Sequence, residues 1–360
     1  MFLFIAALLK AGFAIFIVLN MGVLLSWLER KQSALIQDRI GANRASIFGF
    51  RFKGLFHILA DTLKLLVKED FIPPSGNKFL HTLAPCISMF FALVSFAAIP
   101  FGNQLLISGH IVNLQVTDLN IGILLVFGLM SMGIYGVVLA GLSSNNNYTF
   151  LAAIRASSQM ISYEITMGAT VIGIIMIFQS LYLQDIVAGQ GELLLGWIPK
   201  WGIVVQPLGF ILFITAAIAE TKRIPFDAPE GESEIIGYNI EYSGMKFAMF
   251  MMADFLETVV VAGLVTTLFF GGWQIPYLYE TGFHFPWGQV ISLNPIIITI
   301  LQILAFLTKL LFFAGLQMMI RWTLPRFRYD QIMRLGWKML LPLSILNILI
   351  TGIIIIWLQS

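Results

Sequence analysis

Charge is scarce in this chain of 360 residues: Asp, Glu, Lys and Arg make up 11%, against 58% hydrophobic residues and a mean hydropathy of +0.88. A soluble domain carries about 25% charged residues, so the shortage excludes that class and leaves a membrane protein. Cysteine is scarcer still. Cys86 stands alone, which excludes an intrachain disulfide, a thiolate-held iron–sulfur cluster and a cysteine zinc site, all of which need several ligands. A packed, inert thiol is expected there. No GxGxxG follows a strand pattern and no GxxxxGK[ST] occurs, so no cradle for a dinucleotide or for nucleotide phosphates is legible. No flavin, iron–sulfur cluster or metal is expected on this chain, and no nucleic-acid partner; any redox chemistry it serves has its cofactors on partner proteins.

Long apolar runs are what the chain does have. The opening stretch MFLFIAALLKAGFAIFIVLNMGVLLSWLERK is too long for a signal-peptide core and lacks a small-residue cleavage site, so it reads as a retained first span. At ~20 apolar residues per crossing, spans fall near 5–28, 79–101, 121–142, 158–181, 203–220, 246–271, 296–320 and 338–357. The one at 203–220 is short and ends in Glu220. The expected fold class is therefore an all-α integral membrane protein: one polytopic domain over residues 1–360 with about eight transmembrane helices. An even number puts both termini on one side, and the cations then sort cleanly. All but Lys10, Lys200 and Lys309 lie in the loops after the first, third, fifth and seventh spans. By the positive-inside rule those loops are cytoplasmic and both termini face outward.

The first of these loops holds a further element. Lys53, His57, Asp61, Lys64 and Lys68 recur at helical spacing, with Phe52, Leu55, Phe56, Leu59, Leu63 and Leu66 between them. That pattern predicts an amphipathic helix over 48–69 lying in the membrane interface. It serves either as a surface anchor or as one wall of a lipid-accessible site. His57 reads as an ordinary member of the polar face.

Ionisable residues inside a span cost about 2.5–3.5 kcal/mol on insertion scales and mark ion or proton pathways. Glu164 lies early in the fourth span, and Asp254 and Glu257 lie in the sixth, about 12 and 16 Å deep at 1.5 Å per residue. Their spacing puts both on one helix face. Lys309, deep in the seventh span, is the expected countercharge. The loop AETKRIPFDAPEGESEIIGYNIEYSG extends the series with Glu220, Asp227, Glu230, Glu232, Glu234 and Glu241, answered locally only by Lys222 and Arg223. Crowded carboxylates raise one another's pKa values, as a proton conduit requires. Ile224, Phe226, Ile235, Ile236, Tyr238, Ile240 and Tyr242 interleave with these acids, so a packed segment is expected rather than a solvated run. Arg30, Arg39, Arg155, Arg321, Arg326, Arg328 and Arg334 flank the spans, as anchors for lipid headgroups or as partners for another protein's carboxylates.

The stretches WLERKQSALIQDRIGANR, GLFHILADTLKLLVKED, AAIRASSQMISYEIT, AETKRIPFDAPEGESE, NIEYSG and IRWTLPRFRYDQIMRLGWK together resemble the H subunits of the proton-pumping NADH–quinone oxidoreductases (respiratory complex I). The likeness runs from Trp27 to Pro342, with its motifs in the family's order. It implies a membrane heel on which the hydrophilic quinone-site and iron–sulfur subunits dock, beside small and antiporter-like membrane subunits, in a bacterial inner membrane or an organellar one. Quinone, ubiquinone or menaquinone, would be the substrate. The resemblance also implies roles for residues. Glu164, Glu220, Asp227, Glu230, Glu232, Glu234, Glu241, Asp254 and Lys309 would belong to a proton relay, with Glu257 supplementing the shorter Asp254. Arg30, Arg39, Asp61, Glu69, Arg223, Arg326, Arg328 and Asp330 would line or frame a quinone chamber. No residue of this chain is expected to transfer electrons.

The chain departs from the family pattern at Ala42, at His57 and Ile58, at Asp254 and at Glu257, and its acidic loop is one residue shorter between Glu234 and Glu241. Two rivals share part of the signal. Membrane subunits of hydrogenases or formate hydrogenlyases resemble it but need no quinone chamber, and the PRFRYDQ and ERK…DRIGAN stretches favour the quinone enzyme. A stand-alone secondary transporter would show internal repeats with helices interrupted in matching positions, and the two halves show none.

Overall fold

A computed structural model describes residues 2–107, 110–194, 196–228, 231, 235, 237–279 and 281–359. In chain order the helices are α1 (Phe2–Ile36), α2 (Phe56–Val67), α3 (Lys78–Val94), α4 (Gly122–Ser143), α5 (Asn147–Phe178), α6 (Leu183–Gly189) and α7 (Gly202–Val205). They continue with α8 (Pro207–Glu220), α9 (Gly244–Phe269), α10 (Pro295–Thr323), α11 (Tyr329–Arg334) and α12 (Leu341–Gln359). A π segment, Leu335–Leu340, joins the last two. A bilayer core offers the backbone no water, so apolar runs close their hydrogen bonds within the helix. Among the described residues seven helices are long and apolar enough to cross: α1, α3, α4, α5, α9, α10 and the α11–α12 run. The protein is an all-α integral membrane protein. Asn77, Asn146 and Asn294 start α3, α5 and α10, each side chain accepting from backbone N–H groups of the first turn, as N-caps do.

The expected span at 203–220 takes a different form. Its backbone breaks at Gln206 (φ −137°, ψ 65°), and Pro207 begins α8 at the one position where a missing N–H costs nothing. The 14 residues of α8 rise only about 21 Å, short of a ~30 Å core. Gln206 donates to Thr351 Oγ1 at 2.6 Å and accepts from Asn347 Nδ2 at 3.4 Å, tying the break to α12.

The interfacial helix begins at Phe56, later than the sequence pattern predicts. Gly54 sits at φ +88°, and a Cβ there would come within 1.9 Å of the Ala42 carbonyl oxygen. The chain must turn at that point, and only Phe52–Gly54 is helical before it, as a single 3₁₀ turn. Leu59, Leu63 and Leu66 of α2 are exposed, as a helix resting on lipid requires. His57 is more than a face residue: its Nε2 accepts from the backbone of Arg44 and Ala45, both at 3.2 Å.

The most apolar stretch of α9 is 72% buried, against 22–44% for the other long helices. This helix is the axis of the bundle, and its acids are shielded from lipid by protein. Cys86 corrects another expectation: it is exposed on α3, facing away from the core. Small antiparallel sheets occupy loops at one end, pairing β1 (Gln104–Ile107) with β2 (His110–Asn113) and β3 (Leu193–Leu194) with β4 (Ile198–Pro199). A third joins β5 (Leu278–Tyr279), β6 (Gly282–His284) and β7 (Val290–Ser292).

Candidate functional site

At the opposite end, the loop after α8 folds back over α9. The expectation of a packed segment holds for its described residues: Phe226, Ala228, Ile235, Tyr238 and Tyr242 are buried, while Ile240 is exposed. Beneath this loop lies a cavity of about 390 Å³ lined by Lys222, Arg223, Asp227, Tyr238, Phe247, Met251, Asp254 and Phe255, with Glu29 and Arg321. Glu29 bonds Arg321 and lies 3.8 Å from Arg223 Nη1. The Arg223 guanidinium stands 4.5 Å over the Phe255 ring, a favourable cation–π geometry. Asp227 accepts from Arg326 Nη2 at 2.8 Å.

A second cavity, about 470 Å³, opens between α1, α2 and α9. Met89, Met245, Met249, Met251 and Met252 give it an apolar, adaptable wall, and the Arg30–Asp61 ion pair lies at its side. Met251 and Phe255 line both spaces, so the apolar groove and the charged cavity share a partition. A third cavity, about 390 Å³, gathers Arg30, Arg39, Arg44 and His57 in the first loop.

The acids converge inside the bundle. Lys222 Nζ lies 3.1 Å from Asp254 Oδ1 and 3.5 Å from Glu257 Oε2. Burial alone would lower the Lys222 ammonium, but Asp254 and Glu257 outweigh it and hold the group well above its ordinary value. Glu257 and Glu220 line a space of about 10 Å³ with Ser95 and Met130, the lower limit for one water. Glu220 is buried, and among the described residues its Oε2 has no hydrogen-bond partner. Glu164 accepts from Ser131 and, with Glu257 and Lys222, lies within electrostatic reach of Glu220. Asp254, Glu257, Glu220 and Glu164 thus form one interior series that begins at the wall of the charged cavity.

Several expected residues stand elsewhere. Lys309 is not the countercharge of Asp254 and Glu257. Its ammonium donates to the carbonyls of Phe270, Gly272 and Gln274 at 2.8, 3.0 and 2.6 Å, where α9 ends. A cation there satisfies carbonyls at and just past the helix end and meets the negative end of the helix dipole. Lys222, which the sequence marks only as local charge, takes the pairing instead. The arginines, expected to face lipid or a partner, mostly find carboxylates of this chain: Asp61, Glu29, Asp227 and Asp330. Arg155 lies over the Tyr329 ring. The Arg328–Asp330 pair is exposed and lines none of these cavities, nor does Glu69, whose carbonyl accepts from Ser243. Glu241 is held by Asn146 Nδ2 at 2.9 Å, apart from the interior series. Glu230, Glu232 and Glu234 lie outside the described residues.

Two groups escape a reading of the sequence. Glu29, between two arginines, is hidden in ERK. His81 of α3 stacks at 3.9 Å on Tyr242, whose hydroxyl is 3.0 Å from Ser143 Oγ; burial pushes that phenol up to about 12 against the pull of Ser143. A lone histidine near the start of an apolar span is the available signal for it.

Residues 9–352 match the NADH dehydrogenase family. An NADH-quinone oxidoreductase H subunit from Cytophaga hutchinsonii is 46% identical over 328 residues, covering 91% of this chain and 90% of that protein. Its namesake from Geobacter metallireducens is 43% identical, over 95% and 94% of the two chains. The corresponding protein of Flavobacterium johnsoniae is 40% identical, over 94% and 92%.

Proposed function

The chain belongs to the family of NADH-quinone oxidoreductase H subunits, and from that premise we propose that it forms part of the quinone chamber of such a complex and starts its acidic relay. One observation carries this reading: the charged cavity shares Met251 and Phe255 with the apolar groove, and shares Asp254 and Lys222 with the interior acids. A quinone needs an apolar passage for its tail and polar groups for its headgroup. Cavities of about 300–1,000 Å³ suit such ligands, and both spaces fall in that range. The groove between α1, α2 and α9 is the tail's path from the bilayer, and Arg223, Arg321 and Tyr238 meet the headgroup. Arg30, Arg39 and Asp61 frame the access.

Reduction of quinone, by electrons from a partner's iron–sulfur cluster, places new negative charge in this cavity. That charge draws protons, and Asp254, Glu257, Glu220 and Glu164 pass either protons or the electrostatic change inward, toward antiporter-like partner subunits. Asp227 and Glu241 form the acidic approach on the cytoplasmic face. The chain supplies binding and proton wiring as one membrane unit in the bacterial inner membrane, its cation-rich loops on the cytoplasmic side. The relatives from Cytophaga, Geobacter and Flavobacterium carry the quinone enzyme's name, which favours it over the hydrogenase branch.

The test is Arg223→Ala in the assembled complex. Removing one partner of a buried charge pair costs about 2–5 kcal/mol, so quinone reduction should fall at least about tenfold in kcat/KM. NADH oxidation by a water-soluble artificial acceptor should continue. Quinone kinetics at the level of the unmodified complex would refute the assignment.

A further inference from the structure

Lys222 stands where two spaces meet. The charged cavity counts Thr221, Lys222 and Asp254 in its wall; the small interior space counts Glu220, Thr221 and Glu257 in its own. The Lys222 side chain is 4% exposed, Asp254 21% and Glu257 12%, so Asp254 is the more open acid and Glu257 the more enclosed. Asp254 and Glu257 sit one turn apart on α9, and a single ammonium lies between them. Glu220, Arg223 and Tyr238 are the other polar groups close by.

Charge balance follows directly. Lys222 and Arg223 stand against three carboxylates, Asp254, Glu257 and Glu220, which leaves one excess negative charge, and a net charge away from water is expensive. The group therefore favours holding one proton, on either acid, with Lys222 paired to the other. A lysine suits this better than an arginine. Its ammonium is compact, with three rotatable donors on a flexible stem, whereas a guanidinium fixes one carboxylate in a planar fork.

We propose that Lys222, Asp254 and Glu257 form a one-proton lock between the quinone cavity and the interior acids. In one state Asp254 carries the proton and Lys222 pairs with ionised Glu257. In the other, Asp254 has released its proton, Glu257 has bound it, and Lys222 has turned to Asp254. The charge of the group is the same in both. The cycle resets when Glu257 passes its proton to the Glu220 carboxylate and Asp254 takes another from water in the cavity. Lys222 never carries the transferred proton: it is a positioning residue, and its change of partner decides which side the proton faces. This inference rests on the relay reading above and adds to it the element that stops free leakage between the two spaces.

The experiment uses the whole complex in proteoliposomes and reads protons translocated per quinone reduced, a ratio that a merely structural pair does not move. The double variant Lys222→Met with Glu257→Gln removes the lock at constant total charge and leaves Asp254, the most open of the three, facing the cavity. Its ratio should fall clearly below that of the unmodified complex. Lys222→Arg keeps the charge but grips one carboxylate, and its ratio should fall as well; it decides the question where the double variant does not assemble. Ratios equal to the unmodified complex in the assembled variants overturn the lock. Glu220→Gln, measured beside them, separates the two ideas. If it lowers the ratio while the Lys222 variants do not, only the lock fails. If it too leaves the ratio intact, the relay reading fails with it.

Discussion

Lys309 shows how a single residue can look like one thing and be another. Its depth in an apolar helix suggests a partner for the acids of α9, but depth along a helix fixes neither the face a side chain takes nor which end of the neighbouring helix it meets. α10 runs antiparallel to α9, so Lys309 reaches the far end of α9, about 22 Å beyond Asp254 at 1.5 Å per residue. There it serves the carbonyls of Phe270, Gly272 and Gln274 and lies 4.9 Å over the Trp201 ring. Lys309→Met should strand those carbonyls in a site with little water. The loss is about 3 kcal/mol, since bonds to a charged donor are worth roughly 1.5–3 kcal/mol each and part of the cost is recovered by relaxation. The complex should dissociate at a lower temperature in a thermal melt, and Lys309→Arg should recover part of the loss. A variant that melts normally but pumps fewer protons per quinone would return Lys309 to the relay.

At the scale of elements, α2 presents Leu59, Leu63 and Leu66 outward, the face proposed to rest on lipid, while Asp61 bonds Arg30 of α1. Placing a charge on the apolar side should lift the helix and open the groove it walls. Leu59→Glu with Leu63→Glu is expected to raise the KM for a long-tailed quinone several-fold and to leave a short-tailed analogue nearly unaffected, since burying each leucine is worth about 1.5–3 kcal/mol. Equal effects on both quinones would detach α2 from the tail's path. Most of this architecture is legible in the sequence. The long spans, the amphipathic α2 and the depth of Glu164, Asp254 and Glu257 within their helices follow from hydropathy, from 3.6-residue spacing and from the cost of charge in a bilayer. What escapes are features set by tertiary contact. Gly54 delays α2 because the Ala42 carbonyl occupies the space of a side chain. The break before α8 is signalled by Pro207, but its cause is shared with Thr351 and Asn347, which no local window includes. Lys222 looks like one more loop cation because only the folded loop brings it back onto α9.

The whole molecule is polarised. One end carries small sheets and few cations; the other carries the arginine–carboxylate pairs, the charged cavity and the acidic loop. Membrane insertion retains Lys- and Arg-rich loops on the cytoplasmic side, and the proposed quinone site, fed by a hydrophilic partner, would have to open on that side as well, which makes orientation a sharp test. Cys86 is the single cysteine and is exposed, so it is first replaced as Cys86→Ser. Val290→Cys then places a thiol on an exposed strand of the cation-poor end, and Lys68→Cys places one just after α2. A membrane-impermeant maleimide added to intact spheroplasts should label position 290 and spare position 68, with inverted vesicles giving the reverse. If position 68 is labelled from outside, the cavity faces away from the compartment that supplies NADH, and the quinone reading cannot stand in its present form. The expected pattern would put the acidic loop, the cavity and the electron-donating partner on the same side, so that charge created by quinone reduction is answered by protons drawn through Asp254 rather than from the opposite face.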